Sequence, residues 1–266
     1  MPSAFTPAHR AGAGPPLVLL HGFLDTWRVW ELVLPALERS HEVLAPTLAG
    51  HAGGPPIEEG VHADVLADHA ERAMDDAGFE TAHLAGNSLG GFVALQLAAR
   101  GRARSVTALA PAGGWALGDE SYRDVLRLQA AMRVVARSSA PQADAIVSTP
   151  EGRRRATELI AVNFEHIPPA LLAHQLLGVA GCTAANGMIQ HALAEGFELD
   201  AARIECPVRV VWGTADRLLP WPSAAARFRE DWLPHADWVV LDGVGHAPQL
   251  DVPLEAAELI LGFASG

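Results

Sequence analysis

Cysteine is nearly absent: Cys182 and Cys206 are the two thiols in 266 residues. Two thiols make no disulfide framework, so reduced side chains are expected. No run reaches the roughly 18 apolar residues that a membrane-spanning helix needs, so no membrane partner is expected. Met1 to Pro7 lacks both the basic head and the apolar stretch of a secretion signal, which leads to the expectation of a cytoplasmic protein. Positive charge is scarce as well. Against 31 Asp+Glu stand 19 Lys+Arg, and the net charge of −12 works against nucleic acid as a partner. The 12 histidines show no metal spacing such as HExxH. Gly12-Ala13-Gly14 lacks the dinucleotide-binding fingerprint, so neither a metal nor a cofactor is expected.

What is present is apolar bulk. At 50% apolar residues the chain is no disordered segment, and its length suits one large domain or a core with an insertion. Leu17-Val18-Leu19-Leu20, bounded by Pro15-Pro16 and His21-Gly22, reads as a buried strand. Further strands are expected at 43–45, 81–85, 106–110, 208–212 and 238–241. Helical patterns fall between them at 27–37 (short or irregular because of Pro35), 61–77, 92–99, 223–228 and 253–263. Strands alternating with helices argue for an α/β protein with a mostly parallel sheet.

The alternation breaks near Gly113. Helical patterns at 121–137, 151–164, 170–177 and 183–194 follow with no strand between them, too long a stretch for a loop. The expected organisation is a core over 1–114, a helical lid over 115–198 and the rest of the core over 199–266.

Gly86-Asn87-Ser88-Leu89-Gly90 lies between a strand and a helix, where a serine can project its hydroxyl above the sheet edge. Leu89 would offer a backbone N–H at a helix start, where donors are unpaired and negative charge is favoured. A serine nucleophile needs a base, and the base needs an orienting acid. His246 follows the last strand, and Asp216, in Trp212-Gly213-Thr214-Ala215-Asp216, follows the one before it. The chain order Ser88, Asp216, His246, each beyond the end of a strand, is that of an α/β-hydrolase triad. Asp242 competes with Asp216 but lies one strand late. A second N–H for an oxyanion is expected from Phe23, in the loop after the first strand. His21 and His51 read as structural histidines.

These motifs, together with His21-Gly22 followed by Trp30 and with Gly245-His246-Ala247-Pro248, resemble the α/β-hydrolase superfamily. The resemblance is to its lidded serine hydrolases, such as carboxylesterases, meta-cleavage-product C–C hydrolases and cofactor-free perhydrolases. It implies Ser88 as nucleophile, Asp216 as acid, His246 as base, Phe23 and Leu89 as oxyanion donors, and a helical lid over the site. Haloalkane dehalogenases and epoxide hydrolases of this superfamily carry aspartate at the elbow, so Ser88 argues against both. Asn87 is shared with meta-cleavage hydrolases, whereas Phe23-Leu24-Asp25 and Ala247 depart from their pattern.

The expected function is therefore a carboxylesterase acting on a small to medium apolar or aromatic ester through an acyl-enzyme. C–C hydrolysis, perhydrolysis and a ligand-binding receptor on a hydrolase fold are the alternatives. Leu24, Trp115, Leu126, Met132, Phe164, Leu172, Met188 and Leu219 are the expected substrate-lining residues. Arg133, Arg137, Arg153, Arg154 and Arg155 are expected on solvated helix faces.

Overall fold

Consecutive residues of the first apolar run face opposite ways. Leu17 and Leu19 are buried in one hydrophobic cluster, Val18 and Leu20 in another. A two-residue period belongs to a strand, and burial on both faces belongs to a parallel sheet. The computed structural model describes residues 5–58, 60–62 and 64–264. Its strands are β1 (Ala8–Gly12), β2 (Pro16–Leu20), β3 (Glu42–Pro46), β4 (Ala82–Asn87), β5 (Ala103–Leu109), β6 (Val208–Gly213) and β7 (Asp237–Leu241). They form one seven-stranded sheet in the order β1-β3-β2-β4-β5-β6-β7. Only the β1–β3 pair is antiparallel. A one-residue slip of β2 would send Leu17 and Leu19 into the core that packs Val18 and Leu20, and the reverse, so the packing of both faces fixes the register.

Three helices precede the break in alternation: α1 (Leu34–Leu37), α2 (Val65–Asp76) and α3 (Leu89–Ala99). Between β5 and β6 come α4 (Tyr122–Ser139), α5 (Ala143–Val147), α6 (Pro150–Thr157), α7 (Pro169–Gly181) and α8 (Ala185–Glu195). After β7 come α9 (Pro248–Asp251) and α10 (Pro253–Ala264). Helices α2 and α3 cover the Val18 face, and α1 and α10 the Leu17 face. Every residue of α3 from Gly90 to Ala99 is buried, as suits a helix behind the centre of the sheet whose one polar side chain is Gln96. Among the described residues no helix is long and apolar enough to cross a membrane.

Three local differences from the sequence reading have physical causes. Strand β1 was not expected, because its residues alternate only between exposed and half-buried. It exists through backbone pairing with β3. The helix expected over 151–164 stops at Thr157, since the Val162 and Asn163 N–H groups are taken by the distant Asp251 carboxylate. The helix expected over 223–228 is a tight turn at Ser223–Ala225 followed by a wide one at Phe228–Trp232. The irregular stretch over 27–37 is as expected, a 3-10 turn at Trp27–Trp30 followed by α1.

Candidate active site

Strand β4 ends at Asn87 and α3 begins at Leu89, leaving Ser88 alone at the corner with φ 55° and ψ −120°. Such a conformation costs an L-residue about 1–3 kcal/mol and persists only where the surroundings impose it. Here they do. The Ser88 N–H donates to the Leu109 carbonyl at 2.9 Å, and its own carbonyl accepts from Phe92 at 3.1 Å and Ala112 at 3.0 Å. The turn also needs its glycines: a Cβ on Gly90 would overlap the Leu20 carbonyl, and one on Gly86 the Gly90 carbonyl.

Asp216 and His246 meet in the loops beyond β6 and β7. His246 Nδ1 donates to Asp216 Oδ2 at 2.7 Å, and both side chains are buried. The other carboxylate oxygen accepts from the Leu218 N–H at 2.9 Å and the Leu219 N–H at 2.7 Å. The Trp212 indole N–H donates to the Leu219 carbonyl at 3.0 Å, tying the loop back to β6. With Nδ1 engaged, His246 Nε2 is buried and has no partner among the described residues. Asp242 is elsewhere, bonded to Thr214 on an exposed turn at 3.0 Å.

Two residues that the sequence reading gave no structural role hold this loop. Asn87 Nδ2 donates to the His246 carbonyl at 3.0 Å and to Leu109 at 3.1 Å, while its Oδ1 accepts from Gln249 at 3.0 Å. Buried Asp251 accepts from the Gly245 N–H at 2.6 Å and also from Val162 and Asn163 of the inserted segment. Asn87 carried a signal, as a polar residue at the end of an apolar strand. Asp251 carried none, since its partners are 6 to 89 residues away.

The loop after β2 passes directly over the corner, where a Cβ on Gly22 would lie 3.3 Å from Ser88 Cβ. His21 braces it. Its Nε2 accepts from the Leu48 N–H at 2.8 Å, so its Nδ1 carries the proton and donates to the Gly22 carbonyl at 2.8 Å. Burial, with His51 close by, pushes His21 well below the ordinary histidine range. His51 is lowered to about 4, again by burial, and its Nδ1 donates to the Ala49 carbonyl at 3.1 Å. Both rings are therefore neutral supports. No bond from the Phe23 or Leu89 N–H to another described residue is found. Donors at a loop tip and a helix start can receive negative charge on an oxygen.

A cavity of about 70 Å³ adjoins Ser88. Phe23, Leu89, Trp115, Leu126, Met188 and Leu219 line it, so the structure brings these expected residues together. Leu24, Met132 and Leu172 lie instead on a neighbouring cavity of about 420 Å³. Phe164 departs from the expectation: it lines neither cavity and packs against the Leu17-side core. Tyr122, Val125 and Gln129, which the sequence reading missed, share the lining with Leu126. Their spacing of three and four residues along α4 was the available signal. Arg133 is half-buried and donates to the Cys182 carbonyl at 2.9 and 3.2 Å, while Arg155, exposed as expected, also lines the larger cavity. Among the described residues no three His, Cys, Asp or Glu side chains cluster as a metal site.

A strained serine at a strand–helix corner, with a carboxylate-bound imidazole beyond the last strand, defines a hydrolase class. The model for the alpha/beta hydrolase fold family matches residues 15–253, and the chain belongs to that family. Over 200 residues it is 36% identical to epoxide hydrolase EphH of Mycobacterium tuberculosis, covering 75% of this chain and 93% of the relative. A shorter match, 40% identical over 99 residues, links it to 2-hydroxymuconate semialdehyde hydrolase of Pseudomonas sp. strain CF600, covering 36% and 35% of the two chains. Among solved structures, a serine hydrolase involved in carbazole degradation (the CarC enzyme) superposes with a TM-score of 0.74 at 19% identity, over 97% and 93% of the chains. That last likeness is one of fold.

Proposed function

We propose that this chain is a serine carboxylesterase acting on small to medium apolar or aromatic esters. The observation that carries the reading is the 2.7 Å Asp216–His246 hydrogen bond with Nε2 left unpaired, on a loop gripped by the residue preceding Ser88. Nε2 removes the Ser88 hydroxyl proton as Oγ attacks the ester carbonyl. Asp216 holds the tautomer and stabilises the imidazolium that forms. The Phe23 and Leu89 N–H groups receive the oxyanion, a contribution of about 3 kcal/mol per donor. The imidazolium then protonates the departing alcohol. Water, activated by the same base, releases the acid and restores Ser88. The inserted helices, lining the cavity through Leu126 and Met188, act as the lid over 115–198, and the small volume beside Ser88 favours a short acyl group.

The name of the mycobacterial relative raises epoxide opening, which Ser88 does not favour. A serine oxygen attacking an epoxide carbon forms an ether, which offers water no carbonyl; an aspartate forms a hydrolysable ester. The match to the semialdehyde hydrolase supports C–C hydrolysis as the second reading.

The test compares wild type with Ser88→Ala on short and medium p-nitrophenyl esters, an aryl meta-cleavage dienoate, a simple epoxide and peroxide-dependent perhydrolysis. Ser88-dependent ester turnover with a phosphonate adduct on Ser88 is expected. Preferential dienoate cleavage moves the chain to C–C hydrolysis, and full activity in Ser88→Ala overturns the serine mechanism.

A further inference from the structure

The cavity of about 420 Å³ lies between the 23–25 loop and helices α4, α6 and α7. It adjoins the space beside Ser88: Phe23 and Gln129 line both, and the consecutive residues Leu218 and Leu219 line one each. Its wall is largely apolar, with Leu24, Met132 and Leu172; exposed Arg155 and Glu158 border it, and one polar pair, buried Gln175 with half-buried Asp25, interrupts it. Gln175, 7% exposed, donates through Nε2 to Asp25 Oδ2 at 2.9 Å. Its Oε1 is buried and has no partner among the described residues. The other Asp25 oxygen takes the Thr26 N–H at 2.7 Å.

We infer that Asp25 and Gln175 form a specificity site for a neutral hydrogen-bond donor, a hydroxyl or amide N–H, on the part of an ester substrate remote from the reacting carbonyl. This rests on the ester-hydrolase reading above. Two facts say that the pair is short of donors. A buried amide oxygen left without a partner is costly, so a ligand group that donates to it gains the missing bond. Burial also raises the Asp25 carboxyl to about 6, against the pull of only two N–H groups. Flipping the Gln175 amide gives no relief, because its oxygen would then face the carboxylate. An anion is repelled by these acceptors. Glu158 and Arg155 also line the cavity, but both are exposed to solvent. At the pair itself an ammonium would lose its hydration against one carboxylate, whereas a hydroxyl or amide N–H completes an acceptor at far smaller cost.

The experiment measures kcat/KM on p-nitrophenyl esters in matched series of increasing chain length, ending in methyl, hydroxyl or ammonium. At one length wild type should prefer the hydroxyl end over methyl by about 10-fold or more, expressed mainly in KM. Gln175→Met, of similar shape without the amide, should bring that ratio close to 1. Asp25→Asn, which keeps an acceptor for Thr26, should also lower it. A ratio near 1 at every length in wild type, an unchanged ratio in both variants, or a preference for ammonium overturns the inference.

A second measurement separates this outcome from failure of the ester reading. Thermal protection by α,ω-diols is compared with protection by monoalcohols of equal length, in Ser88→Ala with and without Gln175→Met. If no ester is turned over and phosphonate leaves Ser88 unlabelled, the ester reading falls alone. Diol preference lost on Gln175→Met then still supports the pair, and absence of any diol preference overturns it.

Discussion

The Asn87 side-chain amide donates to the main-chain carbonyl of His246 at 3.0 Å, across 159 residues of sequence. The residue before the serine thus sets the height of the loop that carries the imidazole. The grip is itself gripped, because Gln249 donates to Asn87 Oδ1 at 3.0 Å.

Asn87→Ala should therefore slow reaction at Ser88 while leaving the fold intact. A misplacement of about 1 Å at a reacting pair costs up to about 100-fold in rate, and a loss of about 10- to 100-fold in phosphonate labelling of Ser88 is expected. Asn87→Asp should be worse, since carboxylate oxygens would face the Leu109 and His246 carbonyls. Labelling kinetics by mass spectrometry checks both, and wild-type rates in either variant would remove the positioning role.

Asp216→Asn tests the orienting acid. The amide oxygen can still take the Leu218 and Leu219 N–H groups, but the NH₂ now faces Nδ1 and favours the wrong imidazole tautomer. A fall of about 10³–10⁴-fold in kcat, with melting temperature nearly unchanged, is expected. Asp242→Asn, altering only the exposed bond to Thr214, should leave kcat within about 2-fold of wild type.

Buried Asp251 collects hydrogen bonds from Gly245, Val162 and Asn163 without an opposing cation among them. Asp251→Asn turns an NH₂ toward those donors and should cost about 2–4 kcal/mol, read as a lowered urea midpoint. Ser88 labelling should slow in the same variant, since Gly245 precedes His246. A variant as stable and as reactive as wild type would deny Asp251 both roles.

Acid should weaken the fold through its buried imidazoles. Burial lowers His51 to about 4 and His174 to about 4, whereas unfolded histidines protonate near 6.5. Their contribution is full above about pH 6.5 and is lost as pH falls toward 4, by at most about 3 kcal/mol for His51. Asp25 acts in the opposite sense. Its folded value of about 6 lies above the unfolded one, so its ionisation costs stability above pH 6 and the cost is relieved as pH falls toward 3.8. Melting curves between about pH 7 and pH 5 should show a flatter acid loss in His51→Asn and a steeper one in Asp25→Asn. Parallel curves for all three proteins would contradict the assignment.

The sheet was legible because its strands are apolar runs that end at glycine or proline, as at Leu20-His21-Gly22 and Ala45-Pro46. The corner at Ser88 was legible because its glycines are forced by backbone approach. Strand β1 was not, since Ala8–Gly12 has no apolar alternation and is recruited by the free edge of β3. The early end of α6 was hidden for the same kind of reason: its competitor, Asp251, lies far along the chain. Lining residues were legible only in part. Leu126 and Trp115 face the cavity beside Ser88, but Phe164 turns to the core once α6 has stopped short.

The bonds that Asp251 accepts from Val162, Asn163 and Gly245 tie the stretch after α6 to the histidine loop. The inserted helices are accordingly not an interchangeable module. A graft that replaces the whole insertion with that of another hydrolase removes a support of His246 together with the old pocket. Chimeras that keep 157–163 and exchange only α4 and α8 would change what enters without disturbing what reacts. Diversity in this lineage should accordingly accumulate on those two helices, with the stretch that follows α6 held nearly constant.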